Sequence, residues 1–94
     1  MRIEWTELAV GDLLALRAYI GSENPGAAER MVRRIVDLVE TQLSRMPESG
    51  RFGRVEDTRE LVVSGTPYIV VYRIIGHVVT VLRVLHGARR WPDS

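Results

Sequence analysis

No cysteine occurs in the chain, so a disulfide framework, a thiolate nucleophile and a thiolate metal ligand are all excluded. Lysine is absent as well: all 13 basic residues are arginine. Arginine suits planar, bidentate contact with phosphate or carboxylate and stacking on bases. A coding bias that replaces lysine by arginine throughout would leave the same composition. Phenylalanine occurs once and histidine twice, and no run approaches the roughly 20 apolar residues of a membrane span. The opening MRIEWTELAV carries Glu4 and Glu7 too early for a signal peptide. No membrane partner is expected, and the expected location is cytoplasmic.

What is present suits one globular domain over residues 1–94. Its 46% hydrophobic and 27% charged content is ordinary for a chain of 94 residues with one modest core. The net charge of +1 hides an uneven distribution. Arg51, Arg54 and Arg59 gather in one segment, and Arg83, Arg89 and Arg90 close the chain. The acids lie mainly in the first half, apart from Glu56, Asp57 and Glu60 among the loop arginines.

Arg2 to Trp5 alternates as a short strand. Thr6 is a suitable N-cap, and Ala9, Leu13, Leu16 and Ile20 recur at helical spacing, with Leu14 and Tyr19 widening the stripe. Asp12 and Arg17 on this helix are read as solvent or partner contacts. Gly21 ends it. Asn24-Pro25 starts a second helix, with Asn as cap and Pro at the first helical position. Ala28, Met31, Val32, Ile35, Leu38, Val39 and Leu43 form one face of that helix, and Met46-Pro47 stops it. The short connection makes the two helices an antiparallel hairpin. Glu48 to Asp57 then reads as a loop anchored by Phe52 and Val55.

Leu61 to Val63, Tyr68 to Ile75 and Val78 to Leu85 are rich in β-branched and aromatic residues and read as strands. Pro67 lacks an N–H and belongs at a strand start. Gly76-His77 suits a two-residue type II′ turn, which pairs Ile75 with Val78, Arg73 with Thr80 and Val71 with Leu82. Strict alternation then places Ile69, Val71, Arg73, Ile75, Val78, Thr80, Leu82, Val84 and His86 on one face. Tyr68, Val70, Tyr72, Ile74, Val79, Val81, Arg83 and Leu85 fall on the other. The expected fold is α+β, in the order β-α-α-β-β-β, with a helical hairpin packed on a small antiparallel sheet.

Neither histidine has metal-ligand spacing, and Ser64 sits in a turn with no base nearby in sequence; no cofactor is expected. The chemistry left is a set of arginines with His86, Tyr68, Tyr72 and Trp91 at one end of the sheet. Such a set could hold an RNA phosphate, stack a base and move a proton without metal. It could equally be the contact surface of a protein that inhibits another protein, since Arg, Tyr and Trp dominate such surfaces. His86 itself reads either as a general acid–base or as a strand-end residue bonded to backbone.

The order and spacing of several motifs carry a family resemblance along nearly the whole chain. They are Trp5-Thr6-x-x-Ala9-x-x-Asp12-Leu13 with Tyr19-Ile20, Asn24-Pro25-x-Ala27-Ala28, Gly50-Arg51-x-Gly53-Arg54 and Thr58-Arg59-Glu60-Leu61. Pro67-Tyr68-Ile69-Val70-Val71-Tyr72-Arg73 and Leu82-Arg83-Val84-Leu85-His86-Gly87-Ala88-Arg89-Arg90-Trp91 complete the set. In these the chain resembles the RelE/ParE superfamily of bacterial toxins from type II toxin–antitoxin, or plasmid stabilisation, systems. The resemblance implies a growth inhibitor held silent by a cognate antitoxin in a hetero-oligomeric complex, with the same order of elements.

It implies one of two targets. RelE-like members cleave mRNA in the ribosomal A site without metal, and ParE-like members poison DNA gyrase. RelE-like nucleases often carry Arg where this chain has Ile69, while Tyr72-Arg73 followed by Leu82-Arg83-Val84-Leu85-His86 looks more like ParE. Many ParE members follow that His with Arg-Met-Asp, and here Gly87-Ala88-Arg89-Arg90-Trp91 stands instead. Gyrase poisoning is therefore the leading expectation, with Arg51, Arg54, Arg59, Arg89, Arg90 and Trp91 as target contacts. Ribosome-dependent mRNA cleavage is the alternative, and His86, Arg83 and Arg73 would then be catalytic.

Overall fold

The computed structural model describes residues 1–92 and gives the order β1 (Arg2–Trp5), α1 (Glu7–Gly21), α2 (Pro25–Leu38), β2 (Arg51–Phe52), β3 (Arg59–Val62), β4 (Tyr68–Ile75) and β5 (Val78–His86). The expected α+β arrangement of a helical hairpin on a sheet is present. The five strands lie in the order β1-β5-β4-β3-β2. The sheet is mixed rather than wholly antiparallel, because β1 runs parallel to β5, with Arg2 opposite Val78 and Trp5 opposite Val81. The short strand β2, within the segment expected to be loop, pairs with the start of β3.

Local signals act as their chemistry predicts. Thr6 Oγ1 accepts from the Ala9 amide at 3.1 Å, and Asn24 Oδ1 accepts from the Ala27 amide at 3.0 Å, so both helices start at their side-chain caps. Gly76 has φ of 60° and enters the β4–β5 turn in the left-handed region that glycine tolerates. Past α2 the helix continues as a π-turn over Val39–Leu43. There Thr41 and Ser44 donate their hydroxyls to the Asp37 and Glu40 carbonyls, four residues back. That competition for acceptors loosens the regular helical ladder.

The core lies between the hairpin and one face of the sheet. Ala9, Leu13 and Leu16 of α1 meet Ile35, Val39 and Leu43 of the second helical arm, over Val70, Tyr72, Val79, Val81 and Val84. Each large side chain fully buried here stabilises the fold by about 1.5–3 kcal/mol. Leu14 and Tyr19, expected to widen the stripe, are instead 57% and 79% exposed. Tyr19 lies beside Tyr68 and His86 at the end of the sheet.

Tyr72 closes this core. Its ring is fully buried, and its hydroxyl donates to the Pro47 carbonyl at 2.6 Å while accepting from the Gly50 amide at 2.9 Å. One phenol thereby ties the end of the helical arm to the start of β2. A side chain at position 50 would place its Cβ 2.6 Å from that oxygen, which is why glycine stands there. Tyr72 is therefore a structural pin and does not join an exposed group with His86 and Trp91.

Burial, more than anything else, holds the Tyr72 phenol above its ordinary value, and the weaker effects of the Gly50 amide and Arg59 lower it. Tyr72→Phe leaves two backbone groups without their partner, and we expect chemical denaturation to show a loss of about 1–3 kcal/mol. Above the ordinary tyrosine range the unfolded chain releases the Tyr72 proton while the folded chain retains it. Wild-type stability should accordingly fall as pH rises through that range, and the fall should be smaller in Tyr72→Phe.

Candidate basic and aromatic surface

The register of β4 and β5 decides which groups meet. Near the turn Ile75 pairs with Val78 and Arg73 with Thr80, as the turn type requires, but the pairing shifts between Val71 and Tyr72. Tyr72 lies opposite Val81 and Val71 opposite Arg83, so Leu82 is the extra residue of a β-bulge. The expected pairing of Val71 with Leu82 fails for that reason. Downstream of the bulge the two faces exchange. Val84 points into the helix-side core, whereas Leu85 joins Ile69 and Val71 on the outer face with Leu82 and Trp91.

Arg83, opposite Val71 on the outer face, still reaches Asp12 of α1. Arg83 Nε donates to Asp12 Oδ2 at 2.8 Å and Nη2 to Oδ1 at 3.0 Å, a bidentate pair. The same carboxylate accepts from the Val84 amide at 2.9 Å, and Thr6 binds Leu82 O through its hydroxyl. Asp12 and Thr6 thus cap the edge of β5 where β1 stops. Asp12 had been read as a solvent or partner contact; its side chain is 12% exposed and that of Arg83 is 13% exposed. Its position, three residues after Ala9 and four before Leu16, borders the buried stripe and was the available signal.

At the far side of the sheet a buried acid organises the loop arginines. Glu60 is 2% exposed. It takes Arg51 Nη2 at 3.3 Å, the Arg54 amide at 3.0 Å and Arg54 Nε at 3.4 Å. Arg54 then reaches across with Nη1 to the Arg89 carbonyl at 3.1 Å, joining the loop to the C-terminal segment. Arg59 donates to the Glu48 and Gly50 carbonyls and lies 4.6 Å from the Phe52 ring centroid. Phe52 is 83% exposed and does not anchor the loop as expected. Glu60, Thr58 and the Tyr72 hydroxyl do so.

The three residues proposed for catalysis are not brought together. Arg73 bonds the Asp57 carbonyl near the turn end of the sheet. His86 lies six residues beyond Thr80, the partner of Arg73, or roughly 20 Å along the strand. Arg83 is held by Asp12. His86 Nδ1 accepts from the Ala88 amide at 3.2 Å, and its ring meets Tyr68 edge-on at 5.9 Å. His86, Tyr68 and Arg89 line one recess with Tyr19 and Asp12. Burial raises the Tyr68 phenol, with Tyr19 adding to the effect. Arg90 is exposed, and Trp91 packs back on the outer face under the Arg83 guanidinium, 5.8 Å from its ring centroid.

Residues 3–91 match the sequence profile of the family described as the ParE toxin of type II toxin–antitoxin systems, parDE. The chain is 45% identical over 92 residues to the Y4kP protein of Sinorhizobium fredii, covering 98% of this chain and 94% of that one. It is 39% identical over 88 residues to the toxin RelE2 of Caulobacter vibrioides, covering 94% and 97%. Among solved structures, a chain of the chromosomal ParDE toxin–antitoxin system of P. aeruginosa superposes with a TM-score of 0.85 at 27% identity, covering 92% and 95%.

Removing the Asp12 carboxylate should strand Arg83 and the Val84 amide. We expect Asp12→Ala to lower stability by about 3 kcal/mol, and Asp12→Ala/Arg83→Met to recover part of that loss. A denaturant titration of both variants measures the difference; equal stability of Asp12→Ala and wild type would show that the edge holds without its cap.

Proposed function

Because the chain belongs to the family of ParE toxins of type II toxin–antitoxin systems, we propose that it arrests growth by poisoning DNA gyrase in the cytoplasm and is held silent by a cognate antitoxin. The observation that carries this reading is the separation of Arg73, Arg83 and His86. Metal-free RNA cleavage needs cations and a proton-transfer group converging on one phosphate. In this chain Arg83 is neutralised by Asp12 and Arg73 lies at the opposite end of the sheet. Ile69, where RelE-like nucleases often carry arginine, is 4% exposed within the outer-face cluster.

The remaining cations suit binding. Arg51, Arg54 and Arg59 are fixed by Glu60 and by backbone carbonyls, and Arg54 ties them to the segment bearing Arg89 and Arg90. Arginines held in place lose little entropy when they meet carboxylates or phosphates of a partner. The proposed contact set is therefore Arg51, Arg54 and Arg59 of the loop with Arg89 and Arg90 of the C-terminal segment. The exposed apolar side chains Val10 and Leu14, four residues apart on one flank of α1, offer the antitoxin a face on the helices.

Ribosome-dependent mRNA cleavage is the second reading, supported by the recess that His86 shares with Tyr68 and Arg89. With Nδ1 accepting from Ala88, Nε2 is the nitrogen left to face a phosphate oxygen in that recess.

A paired assay separates the two. Purified toxin should inhibit gyrase supercoiling and leave mRNA on programmed ribosomes intact. Arg89→Glu/Arg90→Glu should weaken supercoiling inhibition at least about tenfold, the effect of replacing two attractive charges by repulsive ones, with an unchanged circular dichroism spectrum. Ribosome-dependent cleavage that His86→Ala abolishes, with gyrase unaffected, would replace the first reading by the second.

A further inference from the structure

The outer face of the sheet is covered by the chain itself. Residues 87–92 fold back after β5, and Trp91 rests on Ile69, Val71, Leu82 and Leu85. Ile69, Val71 and Leu85 are 4%, 0% and 2% exposed with this segment in place. Hydrogen bonds among the described residues hold its start. Gly87 N donates to Pro67 O at 2.6 Å, Arg89 N to His86 O at 2.9 Å, and Arg54 Nη1 to Arg89 O at 3.1 Å. Past Arg89 the Trp91 ring packs on this face, 5.8 Å beneath the Arg83 guanidinium. Its Nε1 is buried without a hydrogen-bond partner among the described residues, so the closed position carries the cost of an unmet donor.

We propose that residues 87–92 are a releasable cover, and that the toxin engages its target with this cover lifted. The surface then exposed is the Ile69, Val71 and Leu85 patch, on the same sheet face as Arg73 and flanked by Arg51 and Arg54. Its partner is a protein patch with an apolar centre and a carboxylate rim, complementary to an apolar centre bordered by arginines. Lifting also frees Arg89 and Arg90 to move with the segment. The cover goes beyond the gyrase reading, and its coupling to target binding rests on that reading.

Two variants with opposite effects on closure test it. Trp91→Ala removes the anchor and should raise binding of the apolar dye ANS and speed amide exchange at residues 87–90. If the cover is open about one-tenth of the time, the same variant should inhibit supercoiling at roughly tenfold lower concentration, because the competent fraction scales apparent affinity. Trp91→Phe keeps the ring and removes the unmet N–H. It should close at least as well, with potency at or below wild type and ANS binding unchanged.

Loss of inhibition in both variants without added ANS binding would make Trp91 a direct target contact and overturn the cover. Wild-type toxin needs no substitution for the last arm. Amide exchange at residues 87–91 should rise on addition of gyrase while the sheet stays protected, and unchanged or slower exchange there would refute release. Should wild type fail to act on gyrase at all, that reading fails separately, and the ANS and free-state exchange results decide the cover alone.

Discussion

The bulge at Leu82 inserts one residue into β5 that has no counterpart in β4, and both faces of the sheet beyond it follow from that offset. Without it Val84 would face outward and Leu85 would enter the helix-side core. Just past it, Asp12 of α1 receives two nitrogens of the Arg83 guanidinium and the Val84 amide. A partly buried ion pair alone contributes little net stability. Here the carboxylate also satisfies a strand-edge N–H that β1 is too short to reach, and it fixes the start of α1 against the sheet. Through this corner α1 is joined to β5, and through Arg83 to Trp91 of the C-terminal segment.

A second buried acid, Glu60, governs the opposite side. An almost inaccessible carboxylate is tolerable only when its oxygens are satisfied, and Arg51 and Arg54 satisfy them from above while the Arg54 amide does so from the chain. The loop arginines are consequently held in one arrangement before any partner arrives. This is the difference between the two ends of the sheet. At one end arginines are presented on a fixed frame; at the other, Arg83 is used up in holding the fold. This fixed frame is the feature on which the proposed recognition role rests.

Much of the architecture was legible because its signals are local. Thr6 and Asn24-Pro25 start helices by accepting backbone N–H groups within three residues. Gly76 enters a turn whose register near the hairpin tip follows from two residues, and the β-branched runs of β4 and β5 declare themselves. Other features depended on groups far apart in the chain. Nothing in Arg2 to Trp5 specifies a parallel partner across 76 residues, as Arg2 opposite Val78 requires. Phe52 was read as a loop anchor, yet the pin is Tyr72, whose hydroxyl could meet Pro47 and Gly50 only after the sheet formed. Trp91 was read as a target contact, and only the tertiary structure shows it packed on its own sheet.

The sequence by itself therefore determined the family, the order of elements, the helix starts and the residue types from which any functional surface must be built. Those properties reside in short windows, in hydrophobic periodicity, capping side chains and turn residues, and in motif order along the chain. Tertiary structure alone decided which arginines are spent and which remain for a partner. An arginine's role depends on its exposure as well as on the carboxylate beside it: Arg83 is closed in against Asp12, whereas Arg51 and Arg54 stay open to solvent beside Glu60, and no local pattern encodes that difference.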